Sequence, residues 1–398
     1  MKHSFIIKLT IISMSFAMMS DSVVVPLVSQ IFATYPEASA FSQNFIISGT
    51  ALMMTMVSLL SGKLAQHFSK KDLLIVGFSL FAIAGIVSGL VNNIVMLSVC
   101  RGLTGVAMGL ISPLALGLIS ELYTDIKERS GIIGVYNGMM AAFGAAMSIA
   151  AGYIAVTNWQ AAFFINAIAI PVLILTIVFL PRTPPEKQVN HDSIKVDAPI
   201  REKIPALKLT AISVSAFFMN TLYCVIFYCI ALYITDRNLG DSSVIGILSS
   251  LGTLGSFSIG MIFSVIYMRT KRFSPTIFFI LLAASYFVLS LPVGIIPVGL
   301  ACVVGGACYG MSYSYYIVEI SEVMPAHAVS IGMAIITSVI GVSMFLAPYV
   351  ISVYESIFNL HSISETFLYI AITLLTCGTL SLILSLRERK LLITSSLE

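Results

Sequence analysis

Twelve apolar stretches fix what this chain can fold into. They run approximately over 5–32, 42–61, 73–91, 94–120, 131–155, 160–180, 209–235, 243–267, 275–293, 296–318, 329–352 and 365–386. A bilayer crossing takes about 20 apolar residues in helical form, at about 1.5 Å of rise each. Composition agrees: 58% of the 398 residues are hydrophobic and only 10% charged, where soluble chains carry about a quarter. The mean hydropathy is +1.00. The sequence therefore predicts an all-α polytopic membrane protein with 12 transmembrane helices. The first stretch opens like a secretory signal, Met1-Lys2-His3 and then apolar residues. With no small-residue cleavage site behind it, it is expected to be the first span.

The charges assign a topology. Of the 21 Lys and Arg, 19 fall at the termini or in alternate loops on one face. Arg237 alone lies on the opposite face, and Arg101 lies inside a span. Such an asymmetry puts both termini in the cytoplasm of a multi-pass protein of the cell membrane. The longest interruption begins at Pro181-Arg182-Thr183-Pro184-Pro185 and ends near Lys208. It divides the chain into an N-terminal bundle (1–180), a cytoplasmic linker (181–208) and a C-terminal bundle (209–398). A constant offset of 201 carries Lys70-Lys71 onto Lys271-Arg272, Gly105 onto Gly306, Gly109 onto Gly310 and Ser120-Glu121 onto Ser321-Glu322. Several matches in one register predict two parallel, pseudo-symmetric six-helix repeats.

Three motifs then carry a resemblance. The loop after the second segment reads Gly62-Lys63-Leu64-Ala65-Gln66-His67-Phe68-Ser69-Lys70-Lys71, the fourth segment holds Arg101, Gly105 and Gly109, and the fifth holds Gly138, Gly144 and Gly152. In these the chain resembles the major facilitator superfamily, and within it the twelve-helix drug:proton antiporter branch. It departs from the motifs at Gln66, where an acid is usual, at Ser69, where the second glycine is usual, and at Ser148-Ile149, where Gly-Pro is usual. The resemblance implies a secondary transporter, the proton as coupling ion and no other cofactor, a small-molecule substrate and a monomer in the bilayer. Rocking of one bundle on the other is implied in the same way.

Arg101 and Asp21 are the charges expected deepest in the membrane. A guanidinium cannot lose its proton, so burying it requires compensation. Asp21 beside it would have its pKa lowered by the charge and raised by desolvation, so hydration and occupancy would switch its protonation. The pair therefore reads as a proton-coupling site with Glu319 as second acid, or as a fixed ion pair that sets helix packing. The five histidines all fall at segment ends or in loops, which removes the usual group titrating near neutrality. Gly62, Lys63, Lys70, Lys71, Glu121, Glu322, Arg269 and Lys271 are expected at a cytoplasmic gate. Gly105, Gly109, Gly138, Gly144 and Gly152 are expected where helices pack closely. A substrate cavity is expected from Asn137 and Met140 with Asn220, Tyr223, Phe227, Tyr309 and Tyr313, whose aromatic and Met character suits amphipathic or lipophilic compounds.

Other classes find little purchase. Gly62-Lys63 is followed by leucine, so there is no phosphate-binding loop. Metal-ligand spacing and a nucleophile–histidine–acid set are both lacking, and the six cysteines read as buried small hydrophobes. The basic residues are short topogenic clusters rather than a nucleic-acid surface. The alternatives kept are a sugar or metabolite efflux carrier, a proton-independent facilitator, and a receptor or scaffold on a carrier fold.

Overall fold

The structure is a computed structural model that describes residues 2–123, 126–182, 205–270, 273–324, 329–360 and 362–395. Among them the elements are helical throughout. They are α1 (Lys2–Ser13), α2 (Ser20–Val24), α3 (Val28–Thr34), α4 (Ala40–Ala65), α5 (Lys70–Ser88), α6 (Ile94–Leu122), α7 (Ile126–Ala155), α8 (Trp159–Ala162) and α9 (Ala169–Phe179). After the linker come α10 (Ala206–Asp236), α11 (Ser242–Thr270), α12 (Ser274–Ser290), α13 (Ile295–Val323), α14 (Val329–Phe358) and α15 (Ile363–Ser395). Among the described residues ten helices are long and apolar enough to cross a membrane; the bent first span and the 17-residue α12 complete the twelve apolar segments.

Short polar caps set the boundaries where the apolar runs nearly touch. Asn93 Oδ1 accepts from the N–H groups of Val95 (2.8 Å) and Met96 (3.3 Å) and starts α6. Asn158 Oδ1 does the same for Gln160 at 2.9 Å, and Ser39 Oγ for Ser42 at 3.2 Å at the head of α4. These are the orphan donors every helix start presents. Asp241 caps α11 through the N–H groups of Ser243 (3.0 Å) and Val244 (3.2 Å). The Ser243 hydroxyl first, and then the Val244 N–H, hold its carboxyl below the usual carboxylate range. The cap is thus present above the ordinary carboxylate pKa and lost as pH falls through the depressed one. At the far ends of α10 and α14, Asn238 (φ 52°) and Asn359 (φ 51°) adopt the left-handed conformation. The following N–H groups, of Leu239 and Leu360, reach back to Ile234 O (3.0 Å) and Glu355 O (3.2 Å), closing both helices. Inside the spans most hydroxyls bond their own helix, as Thr104 Oγ1 does to Cys100 O at 2.9 Å.

One segment departs from the sequence expectation. The first span is broken: its halves, Phe5–Ala17 and Ser22–Thr34, meet at 50°, with 3₁₀ turns at Met14–Met19 and Val25–Leu27. Pro26 supplies a reason for the second turn, since it has no N–H to give to an α-helical ladder.

The chain forms two compact units, Met1–Glu202 with Gly240–Ser250, and Lys203–Leu239 with Leu251–Glu398. In the first unit α6 packs on α4 and α5, and α7 on the first span; Phe16 meets Phe78 and Phe81 with ring centroids 6.1 and 5.6 Å apart. The stretch Gly240–Ser250 belongs to this unit because two glycines let its backbone meet α7. A Cβ on Gly152 would strike Ser242 O and one on Gly246 would strike Ser148 O, while Ser148 Oγ donates to Gly246 O at 3.1 Å and Gln30 Nε2 to Ser242 Oγ at 2.8 Å. In the second unit α12 packs on α13 and α15, and α10 on α13 and α14. Tyr286 anchors that packing: its hydroxyl donates to Leu222 O at 2.5 Å, and its ring lies 5.3 Å from Phe367.

The repeat seen in the sequence has a physical content. A Cβ on Gly105 would collide with Thr50 O, and one on Gly109 would stand 2.6 Å from Met54 O. In the second unit Gly306 meets Gly252 O and Gly310 meets Ser256 O in the same way. Each unit therefore brings two backbones together across a pair of glycines four apart. By contrast a Cβ on Gly102 would find its nearest neighbour at 3.9 Å. We expect Gly105→Ala to lower stability by about 1–3 kcal/mol and Gly102→Ala to leave it within about 0.5 kcal/mol, as read by thermal unfolding in detergent.

Candidate functional site

Among the described residues Arg101 is the largest fully buried side chain, 1% exposed, eight residues into α6. Its Nε donates to Ile46 O on α4 at 3.1 Å. The glycines one and two turns further along α6 make that reach short. The backbone of Asp21 falls in α2, at the break of the first span; its side chain lies outside the described residues, as do Lys271 and Arg272.

The basic residues after α4 do not wait for partners elsewhere. Lys70, 6% exposed, pairs with Glu121 at the end of α6, passing Gly117, where a Cβ would lie 3.4 Å from its Nζ. Lys71 Nζ donates to Ile177 O in the last turn of α9 at 2.7 Å, a favourable place for a cation. Asp72 meets Arg182 at 3.2 Å. Three successive residues at the start of α5 thus clip α6, α9 and the chain beyond α9 within one unit. Lys63 and Gly62 are exposed, with open space around Gly62. Arg269 is exposed on α11.

On α13, Glu319 is half-buried and Glu322 exposed. Both lie in the helix's closing turns, because α13 continues to Val323. They face tyrosines of their own unit: Tyr315 stands within hydrogen-bonding reach of Glu319, and Tyr267 of Glu322.

Most of the cavity residues expected from the second half come together. Tyr223 on α10 and Tyr309 on α13 stack with centroids 4.4 Å apart and planes at 10°. Tyr309 and Tyr313 lie 6.1 Å apart, and Tyr313 is exposed. Phe227 is half-buried one turn beyond Tyr223. Asn220 is buried, and its Nδ2 donates to Ile340 O (3.1 Å) and Ser343 Oγ (2.5 Å) on α14. In the first unit Asn137 is exposed and Met140 half-buried on α7, with Gly138 between them. Gly144 lies against Met19, whose Sδ would be 2.8 Å from a Cβ there. All six cysteines are free thiols, five buried and Cys377 partly so. Sequence reasoning did not single out Gly117, Ser343 or Gly246. Gly246 follows Asp241-Ser242-Ser243, whose helix-cap character was legible; nothing local marks the other two.

The described residues thus form an all-helical polytopic membrane protein, with a buried cation in one unit and an aromatic stack in the other. Residues 10–348 match the Major Facilitator Superfamily, and the chain belongs to that family. Among similar proteins are the puromycin resistance protein pur8 of Streptomyces alboniger, 28% identical over 40% of this chain and 31% of that protein, and the multidrug transporter protein MdtP of Bacillus subtilis, 30% identical over 33% and 24%. The multidrug efflux pump LfrA of Mycolicibacterium smegmatis is 26% identical over 41% of this chain and 31% of the pump. The matched stretches span about a quarter to a third of those relatives. In fold the chain is similar to a bacterial homolog of the human lysosomal transporter Spinster in an inward-facing, occupied conformation, with a TM-score of 0.73, 14% identity and 97% of each chain covered. It is also similar to a D-xylose-proton symporter, with a TM-score of 0.72, 14% identity, and 95% of this chain and 97% of that one covered.

The clip at the start of α5 generates an expectation. Lys70→Met and Glu121→Gln each lower the melting temperature, and the double variant loses less than the two losses added, because either change alone strands the other group. Additive losses would show that the two side chains do not act as a pair.

Proposed function

We propose that this protein exports small amphipathic or lipophilic compounds from the cell by proton antiport with alternating access. The observation that carries the substrate class is the stacked Tyr223–Tyr309 pair with Tyr313 beside it. Flat aromatic faces reward apolar, planar partners and do little for a polyhydroxylated sugar, which needs many directed hydrogen bonds. The efflux and resistance functions in the names of the similar proteins support the same direction of transport. The placement of basic residues supports cytoplasmic termini.

Proton coupling rests on Asp21 and Arg101. The first unit buries an unconditionally charged guanidinium, and Asp21 belongs to a helix that is discontinuous at that point. Broken helices expose backbone groups and admit water where carriers exchange ions. A cation beside Asp21 would favour its ionised form, and a dry surrounding its protonated form. A substrate that dries the site would shift the balance toward protonation, and release of substrate would reverse it. Glu319 is the second acid in this scheme.

Purified protein in liposomes tests the proposal. With an imposed proton gradient, addition of lipophilic cations is expected to produce substrate-dependent proton movement in the wild type and none in Asp21→Asn. Unchanged coupling in that variant would transfer the role to Glu319, and substrate flux without proton movement in the wild type would make the protein a facilitator.

A further inference from the structure

We infer that Asn220 and the Tyr223–Tyr309 stack form a subsite that reads a hydrogen-bond donor on a flat aromatic ligand. This deepens the export reading above and rests on it: the substrates taken best are planar ring systems that present an N–H or O–H group to the Asn220 carboxamide oxygen.

The orientation of that carboxamide is fixed. Its Nδ2 faces Ile340 O at 3.1 Å and Ser343 Oγ at 2.5 Å. Ile340 O accepts only, and the Ser343 hydroxyl spends its hydrogen on Ile340 O at 2.7 Å, leaving Ser343 Oγ to accept as well. A flipped amide would turn an acceptor toward two acceptors, so only one orientation is bonded. Both amide hydrogens are thereby committed to α14. The other side of the group is Oδ1, which is buried and receives no hydrogen bond, on a residue only 5% exposed. A carbonyl oxygen held in an apolar interior without a donor is costly. Leucine would fill the same volume without that cost.

The surroundings define what would bring the donor. Tyr223 lies three residues along α10, on the same side of the helix as Asn220. Its ring is already parallel to that of Tyr309, and Tyr313, 37% exposed, lies beside Tyr309 with its ring tilted by 44°. A planar ring is the shape that extends such a stack. The reading group is neutral. Along α10 the only acid is Asp236 at its last position, and along α13 the only acids are Glu319 and Glu322 in its closing turns. Discrimination here turns on a polarised hydrogen, while the ring faces accept a delocalised positive charge without requiring one.

The test uses the full chain in detergent and in liposomes with two dyes: ethidium, and its analogue in which the four aromatic-amine hydrogens are replaced by methyl groups. The analogue keeps the flat cation and loses the donors. In the wild type, ethidium is expected to bind about tenfold more tightly by dye fluorescence, and its transport is expected to saturate at correspondingly lower concentration. Asn220→Leu brings the ratio of the two affinities close to one. Ser343→Ala frees the carboxamide to turn and lowers the ratio as well; it carries the test if Asn220→Leu does not fold. Tyr309→Leu weakens both dyes together. Equal affinities in the wild type, or a tenfold ratio that persists in folded Asn220→Leu or Ser343→Ala, would overturn the inference, the second result assigning the preference to the bulk of the methyl groups. If folded wild type neither binds nor moves either dye, the export reading itself fails, and the subsite with it.

Discussion

The first unit is built around the burial of Arg101. A guanidinium keeps its charge at any physiological pH, so an apolar helix can hold one only if acceptors are brought to it. The Ile46 carbonyl does part of this at 3.1 Å. A backbone carbonyl in a neighbouring helix comes that close only when the helix surfaces are bare, and Gly105 and Gly109 remove the side chains that would hold α4 and α6 apart. Further along the same helix, Gly117 clears the way for Lys70 to meet Glu121. One helix therefore carries three accommodations of buried positive charge or close backbone, each made by a residue without a side chain.

The second unit keeps the glycines and drops the charge. At the offset that relates the repeats, Cys302 stands where the first unit has Arg101, Tyr309 where it has Met108, and Asn220 where it has Met19. The shared part of the repeat is packing, which both units need in order to hold apolar helices together where no hydrophobic effect does so. The unshared part is chemistry: ionic in one unit, aromatic and amide in the other. The proposed proton antiport would call on both kinds of group, and a duplicated scaffold lets them be placed independently.

Much of this was legible in the sequence, for definable reasons. Helix existence follows from the length of the apolar runs, and their closest boundaries follow from Asn93 and Asn158, side chains that cap. The glycine pairs were legible because two copies agree in register. The break in the first span was not, because Met14–Met19 holds neither proline nor glycine and its hydropathy is that of a continuous helix. Lys70, Lys71 and Glu121 were all expected near the cytoplasmic face, but charge alone does not say which acid or carbonyl each cation meets: Glu121 lies 51 residues from Lys70 and Ile177 106 from Lys71. Asn220 was expected in the cavity, but its partner Ser343 is 123 residues distant, and a lone serine in an apolar helix carries no signal of that pairing.

In the proposed antiport, solute binding and proton binding are linked in one chain. The most direct measurement is calorimetric titration of the purified protein with a lipophilic cation in buffers of different ionisation enthalpy, which counts the protons exchanged per ligand bound. Proton antiport through Asp21 predicts exchange of about one proton per ligand near neutral pH, lost in Asp21→Asn. Tight binding with no proton exchanged at any pH between about 5 and 9 would contradict it.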